Sequence, residues 1–222
     1  MTTYKSTIGK RIKTFATDLD NDQAEGQIFY SSTDNQFKAV VSSAAWSSSG
    51  PLNTNRRYLA AAGIQTAALA FGGADTTAVA NTEEYNGTSW TNSPGTLGTA
   101  RYGLAGAGLQ TAAIAALGYK YGSPLRTTST EEYDGSTWTA GSNATTERSS
   151  CKGGGIQTSF LVFGGFAPPY STATEAYDGT SWSNKPSLAT ARNRMGAASN
   201  TPGSTTGLCA GGQTPSATAA TE

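Results

Sequence analysis

The apolar positions of this chain fall into short runs that close on glycine. They are "AALAFGG" ending at Gly73, "AAIAALG" at Gly118, "SFLVFGG" at Gly165 and "GLCAGG" at Gly212. Apolar runs of this length, bounded by Gly and polar residues, predict buried β-strands. The first three each follow a small-residue stretch ("RRYLAAAG", "RYGLAGAG", "RSSCKGGG") and a turn, "GIQT" or "GLQT", at Gly63, Gly108 and Gly155. A hairpin of two short strands is the expectation. The doublets Gly72-Gly73 and Gly164-Gly165 end the second strand, where backbone turns sharply or meets another backbone. Farther on, "TEEYNGTSW" (Thr82 to Trp90) returns as "TEEYDGSTW" (Thr130 to Trp138) and "TEAYDGTSW" (Thr174 to Trp182). Tyr85, Tyr133 and Tyr177 are expected to begin a third strand, and Trp90, Trp138 and Trp182 to lie on a fourth. The N-G or D-G between them is a strong hairpin signal, because both residues tolerate positive φ.

The pattern is therefore a repeat. Arg56, Arg101, Arg148 and Arg192 open successive units, spaced 45, 47 and 44 residues apart. Four short antiparallel strands in that length describe a propeller blade, which cannot bury its own faces and must be stacked. The expected blades are about 56–100, 101–147 and 148–191, with a partial fourth over 192–222 that ends on "TE", Thr221-Glu222. Arginine before the first strand, Gly-Gly after the second, then Tyr and Trp at set distances resembles the kelch motif. That resemblance implies that Arg56, Arg101, Arg148 and Arg192, with Glu83, Glu131 and Glu175, stitch neighbouring blades together. Two departures stand out: "ALGY" replaces Gly-Gly in the second unit, and "SNTPGSTT" is inserted in the fourth. Kelch propellers usually have six or seven blades, and because native chains seldom stop inside a motif, a chain continuing past Glu222 is the favoured expectation. The competing one is a four-bladed ring closed by Trp46, which precedes Arg56 by 10 residues, the gap from Trp138 to Arg148.

Residues 1–50 lack the repeat. "GQIFYSST" and "NQFKAVV" flank a turn and predict a β-hairpin. The leader before them runs from basic (Lys5, Lys10, Arg11, Lys13) to acidic (Asp18, Asp20, Asp22, Glu25). It is expected to be a solvated, partly disordered arm that orders on docking, with the four basic residues as candidate attachment points.

Composition removes several kinds of chemistry. Fifteen basic and 15 acidic residues balance, so no long-range field favours nucleic acid or an anionic membrane. No stretch approaches the length of a membrane span, and the N-terminus lacks the apolar core of a secretion signal. The sequence contains 0 histidines, which removes the commonest metal ligand and general base. Cys151 and Cys209 fall where other units carry small hydrophobes and are expected to be buried thiols. "YDGSTW" is similar to the Asp-box of sialidases, but Asp134 lies four residues before Trp138 where that motif needs five. No enzymatic activity and no cofactor or metal are expected.

"EGQIFYSSTDNQFK" (Glu25 to Lys38) followed by "LNTNRRYLAAAGIQTAALAFGG" (Leu52 to Gly73) resembles virion appendage proteins of marine tailed bacteriophages. The resemblance implies an all-β protein in two parts. Residues 1–50 would attach to other virion proteins, and residues 51–222 would display kelch-like blades for host-surface adhesion. Its implied place is the exterior of tail or capsid, as a homo-oligomer, a trimer by preference, contacting a host glycan or protein. A capsid decoration protein and a cellular kelch adaptor are the alternatives. Tyr119, Tyr121 and Tyr170, in the variable loops after the second strands, are the candidate receptor-contacting residues.

Overall fold

The computed structural model describes residues 14–15, 28–32, 35–39, 48–122, 125–199 and 206–222. The chain is all-β, with no helix among the described residues. Its contacts divide it into two compact units, Met1–Ser48 and Ser49–Glu222. In the first, β2 (Ile28–Ser31) and β3 (Gln36–Ala39) form the expected hairpin. A short β1 (Thr14–Phe15) pairs parallel to β2, Thr14 opposite Tyr30, so the leader contributes one strand that its polarity did not announce.

The second unit holds three four-stranded antiparallel sheets and one two-stranded sheet. The first comprises β4 (Ala60–Ile64), β5 (Ala67–Phe71), β6 (Thr82–Tyr85) and β7 (Trp90–Asn92). The second comprises β8 (Ala105–Leu109), β9 (Ala112–Ala116), β10 (Thr130–Tyr133) and β11 (Trp138–Ala140). The third comprises β12 (Lys152–Ile156), β13 (Ser159–Phe163), β14 (Thr174–Tyr177) and β15 (Trp182–Lys185). The fourth repeat supplies β16 (Gly196–Ser199) and β17 (Gly207–Ala210), with Thr221 bridged to Ala210 as a third strand would be. Strands pair in sequence order, so each sheet is a meander.

The core lies between sheets. Leu69 and Phe71 of the first sheet pack on Ala113, Ala115 and Tyr133 of the second. Ile114 and Ala116 of the second face Phe160, Val162 and Tyr177 of the third. Leu161 and Phe163 of the third pack with Met195 and Cys209 of the fourth. Period-two alternation sends successive residues of one strand to opposite neighbours, so β9 and β13 are buried on both faces. Large residues meet small ones across each interface, which keeps the packing dense. Gly106 shows how close the approach is: an added Cβ would lie 2.5 Å from Phe71 Cζ. Residues at the first strands of the four repeats also line one open cavity of about 420 Å3, Leu59, Leu104, Gly153 and Met195 among them.

Two turn assignments are corrected. Tyr85, Tyr133 and Tyr177 end the third strand instead of beginning it. In the N-G and D-G loops only the glycine takes positive φ, as at Gly87 and Gly135 with +91° and +95°. The preceding Asx side chain caps the loop instead: Asp134 Oδ1 accepts from Thr137 N at 2.7 Å and Ser136 N at 2.8 Å. The "IQT" hairpin turns are as expected, and Gly63 is required there. Its φ is +95°, and a Cβ would stand 2.2 Å from the Ala67 carbonyl oxygen. The second repeat keeps the doublet conformation without the doublet: Leu117 itself adopts φ +64° beside Gly118.

The Asx caps carry a pH dependence. The backbone N–H of Thr137, then the Ser136 hydroxyl and N–H, hold the Asp134 carboxyl well below the ordinary carboxylate value. The Ser181 and Thr180 amides do the same for Asp178. A depressed folded-state value means stability that is complete above the unfolded value, about 3.9, and lost as pH falls through the folded one. Asn86 makes the same two bonds, both 2.9 Å, with an amide that does not titrate. The variant Asp134→Asn with Asp178→Asn should therefore fold normally at pH 7. Its melting temperature, followed by circular dichroism, should decline less steeply than wild type between about pH 4 and 2. Parallel curves would mean that the acid dependence lies elsewhere.

Candidate functional site

Each repeat is clamped by a buried ion pair. Arg56 meets Glu83 at 3.1 Å, Arg101 meets Glu131 at 3.1 Å, and Arg148 meets Glu175 at 2.5 Å. Arg192 pairs with Glu222, so the last residue of the sequence fills the place of Glu83 in the fourth repeat. Burial pulls Arg101 below its ordinary value, opposed by the Glu131 charge. These pairs lie within one repeat, whereas the kelch resemblance implied contacts between blades. The guanidinium is spent on its own sheet: Arg56 donates to the carbonyls of Ala70, Gly72 and Asn81. What each residue offers across the boundary is something else. The arginine main-chain carbonyls accept from Gly73, Gly118 and Gly165 of the preceding repeat, at 2.9, 3.0 and 2.8 Å. The glutamates accept from the connection entering their sheet, as Glu131 does from Gly98 N at 2.6 Å.

Other side chains do the stitching. Trp138 and Trp182 donate their indole N–H to Thr82 and Thr130, one repeat back, at 2.9 and 3.0 Å. Tyr133 and Tyr177 donate their hydroxyls to Glu84 and Glu132, also one repeat back. Burial, reinforced by those carboxylates, pushes both phenols up to about 12. Gln110 and Gln157 were read only as turn residues. Yet the Gln110 amide donates to Ala68 and Tyr85 carbonyls at 3.0 and 2.8 Å, and Gln157 repeats this on Ala113 and Tyr133. The recurrence of glutamine at a turn, where any polar residue would serve, was the available signal.

The candidate binding surface is at one end of this scaffold. There the residue after each repeat-opening arginine bridges the residue after the second-strand doublet: Arg57 to Ala74, Tyr102 to Tyr119, Ser149 to Phe166 and Asn193 to Gln213. The variable loops start from this row, so aromatic side chains collect on it. Tyr102 stands 5.1 Å from Tyr119, 6.1 Å from Tyr121 and 6.1 Å from Tyr58, measured between ring centroids. Burial, and then the neighbouring phenols, push the Tyr102 hydroxyl above its ordinary value. Tyr170 lies edge-on to Phe166 at 6.0 Å. Arg126 bridges the two groups, 4.9 Å from the Phe166 ring and 5.8 Å from that of Tyr119, and Arg57 lies 5.8 Å from Tyr58. Tyr58 and Tyr121 are more than half exposed, at 52% and 57%.

Of the three predicted loop tyrosines, the structure brings Tyr119 and Tyr121 into one group and links Tyr170 through Phe166 and Arg126. Tyr58 and Tyr102, adjacent to repeat arginines, were not predicted. They join the site because the ladder folds them onto the loop end. Cys151 and Cys209 are separate buried thiols. Among the described residues, no group of three or more His, Cys, Asp or Glu is arranged to hold a metal. Lys5, Lys10, Arg11 and Lys13 lie outside the described residues. The chain matches no protein-family model and no curated protein.

Proposed function

We propose that the repeats are blades of a kelch-like β-propeller, and that the chain is a non-enzymatic virion appendage protein of a tailed bacteriophage. In this reading residues 1–50 attach it to the particle, and the repeats carry a face that adheres to the host surface. Lining of one cavity by residues at the first strands of all four repeats supports the propeller arrangement. The observation that carries adhesion is the exposed aromatic and arginine face built from loop residues on a rigid frame. Flat aromatic rings offer large contact area at low entropic cost and stack on the apolar faces of sugar rings. Guanidinium groups between them supply fixed donors for hydroxyl or acidic groups. The attachment role of residues 1–50 follows from the resemblance to marine phage appendages.

Tyr58 offers a clean test. It holds φ +58°, and Gly103 occupies the same place in the next repeat at φ +59°. Tyr58→Gly should therefore leave the melting temperature unchanged or raise it, since glycine relieves left-handed strain of about 1 kcal/mol. Combined with Tyr121→Ala, it should reduce retention on host surface polysaccharide by at least about tenfold. Immunogold labelling of intact particles places the protein on tail or head. Retention unaffected by both substitutions would end the adhesion reading, and absence from purified virions would end the appendage reading.

A further inference from the structure

The net charge of the chain is zero, but the charges outside the buried ion pairs are unevenly placed. The turn end of the sheets, formed by the described "IQT"-type hairpins and the Asx loops, carries Asp134 and Asp178 and no basic residue. The loop end, where β4 begins and β5 finishes, carries Arg57, Lys120, Arg126 and Arg194. Its carboxylates are Asp75 and Glu147, the latter two residues before Ser149 of the bridged row. Arg126 differs from the repeat-opening arginines. Each of those has a carboxylate, whereas Arg126 has neither an ion pair nor a hydrogen bond among the described residues. Its guanidinium is held between the rings of Phe166 and Tyr119, 4.9 and 5.8 Å from their centroids. Nε is buried there, while the two terminal nitrogens stay open to solvent. A cation–π contact uses the flat face of a guanidinium and leaves the donors on its edge for an oxyanion.

We propose that the loop end binds an acidic polysaccharide, an inference that rests on the adhesion reading and names its ligand class. One sugar carboxylate or sulfate docks on the terminal nitrogens of Arg126, and neighbouring sugar rings lie flat on Tyr119, Tyr102 and Tyr58. The Tyr121 hydroxyl donates to the Thr76 carbonyl at 3.2 Å and so ties the loops of the first two repeats together beneath such a chain. Tyr102 lies 5.1 Å from Tyr119 and 6.1 Å from both Tyr58 and Tyr121. That spacing leaves no slot for a nucleic-acid base between two rings, whereas a sugar needs only their outward faces. Arg57 and Arg194 are exposed and add attraction for further acidic sugars that salt screens.

The test titrates the full chain with two fluorescein-labelled pairs and reads anisotropy. One pair is hexagalacturonate and its methyl ester, the other dextran sulfate and dextran of matched length. Within at least one pair the charged member should bind about tenfold or more tighter, and the difference should shrink as salt is raised. The pair that shows the preference identifies the docked group as carboxylate or sulfate. Arg126→Gln, checked for folding by circular dichroism, should remove most of the preference and leave the neutral member's binding within about twofold. Should that variant not fold, the wild-type pairs decide. Equal or absent binding within both pairs overturns the proposal. So does a preference unchanged in folded Arg126→Gln, or tighter binding of an oligothymidylate of matched length. None of these results touches adhesion through the aromatic rings, which falls only if Tyr58→Gly with Tyr121→Ala leaves retention on host polysaccharide unaffected.

Discussion

Arg148→Met is expected to destabilise the repeat region by about 3–5 kcal/mol, read as a lowered midpoint in urea at unchanged slope. The Arg148 and Glu175 side chains are both 0% exposed. Removing the cation leaves a carboxylate in a site where water cannot replace it. Glu175 also accepts from the Thr145 N–H at 2.8 Å, and that bond persists in the variant. Adding Glu175→Gln, which relieves the unpaired charge, should therefore recover part of the loss. Arg192→Met is the internal comparison. The Glu222 side chain there is 22% exposed, so solvent screens what remains and the loss should be smaller. Equal losses at the two sites would show that burial does not set the loss, and a loss below about 1 kcal/mol at Arg148 would show that the buried pair does not hold its sheet.

Trp138→Ala should come next, at about 3–4 kcal/mol, because it removes a ring that fills the boundary between two repeats. The ring contacts Phe71 of the preceding sheet and Tyr133 of its own, at centroid distances of 4.8 and 5.0 Å. Trp138→Phe keeps most of that packing and loses the bond to Thr82, so its cost should be about 1 kcal/mol. The shape of the transition carries the sharper result. In a stacked array each repeat is held by its neighbours, so a weakened boundary lowers cooperativity as well as stability. Trp138→Ala should broaden or split the urea transition, whereas Arg148→Met, acting within one sheet, should shift it intact. A single sharp transition for both would mean that the boundary is held by other contacts.

The legible parts of this protein were those written with a short period. The unbroken apolar run in "SFLVF" and the glycines after it mark a buried strand and its end, because both depend on a residue's own backbone and nearest neighbours. The Asx caps at Asn86 and Asp134 were legible as turns but not in their geometry. Whether a loop uses two positive-φ residues or one with a side-chain cap depends on where the flanking strands lie. The aromatic face was half legible. Tyr119, Tyr121 and Tyr170 stand in evident loops, while Tyr58 and Tyr102 sit beside repeat arginines and look structural.

The sequence alone determined that the chain is a β repeat, where each unit begins, and which residues recur. That information is local, and spacing preserves it. The tertiary structure decided what each recurring residue touches. Arginine and glutamate meet inside one sheet because Arg56 enters beside β4 and folds back over β5 and β6 toward Glu83. Trp138 and Tyr133 reach the preceding sheet from the face that packs on it, and Gln110 reaches it from the turn between β8 and β9. Spacing records distance along the chain, and only the stacking of sheets converts that distance into a partner.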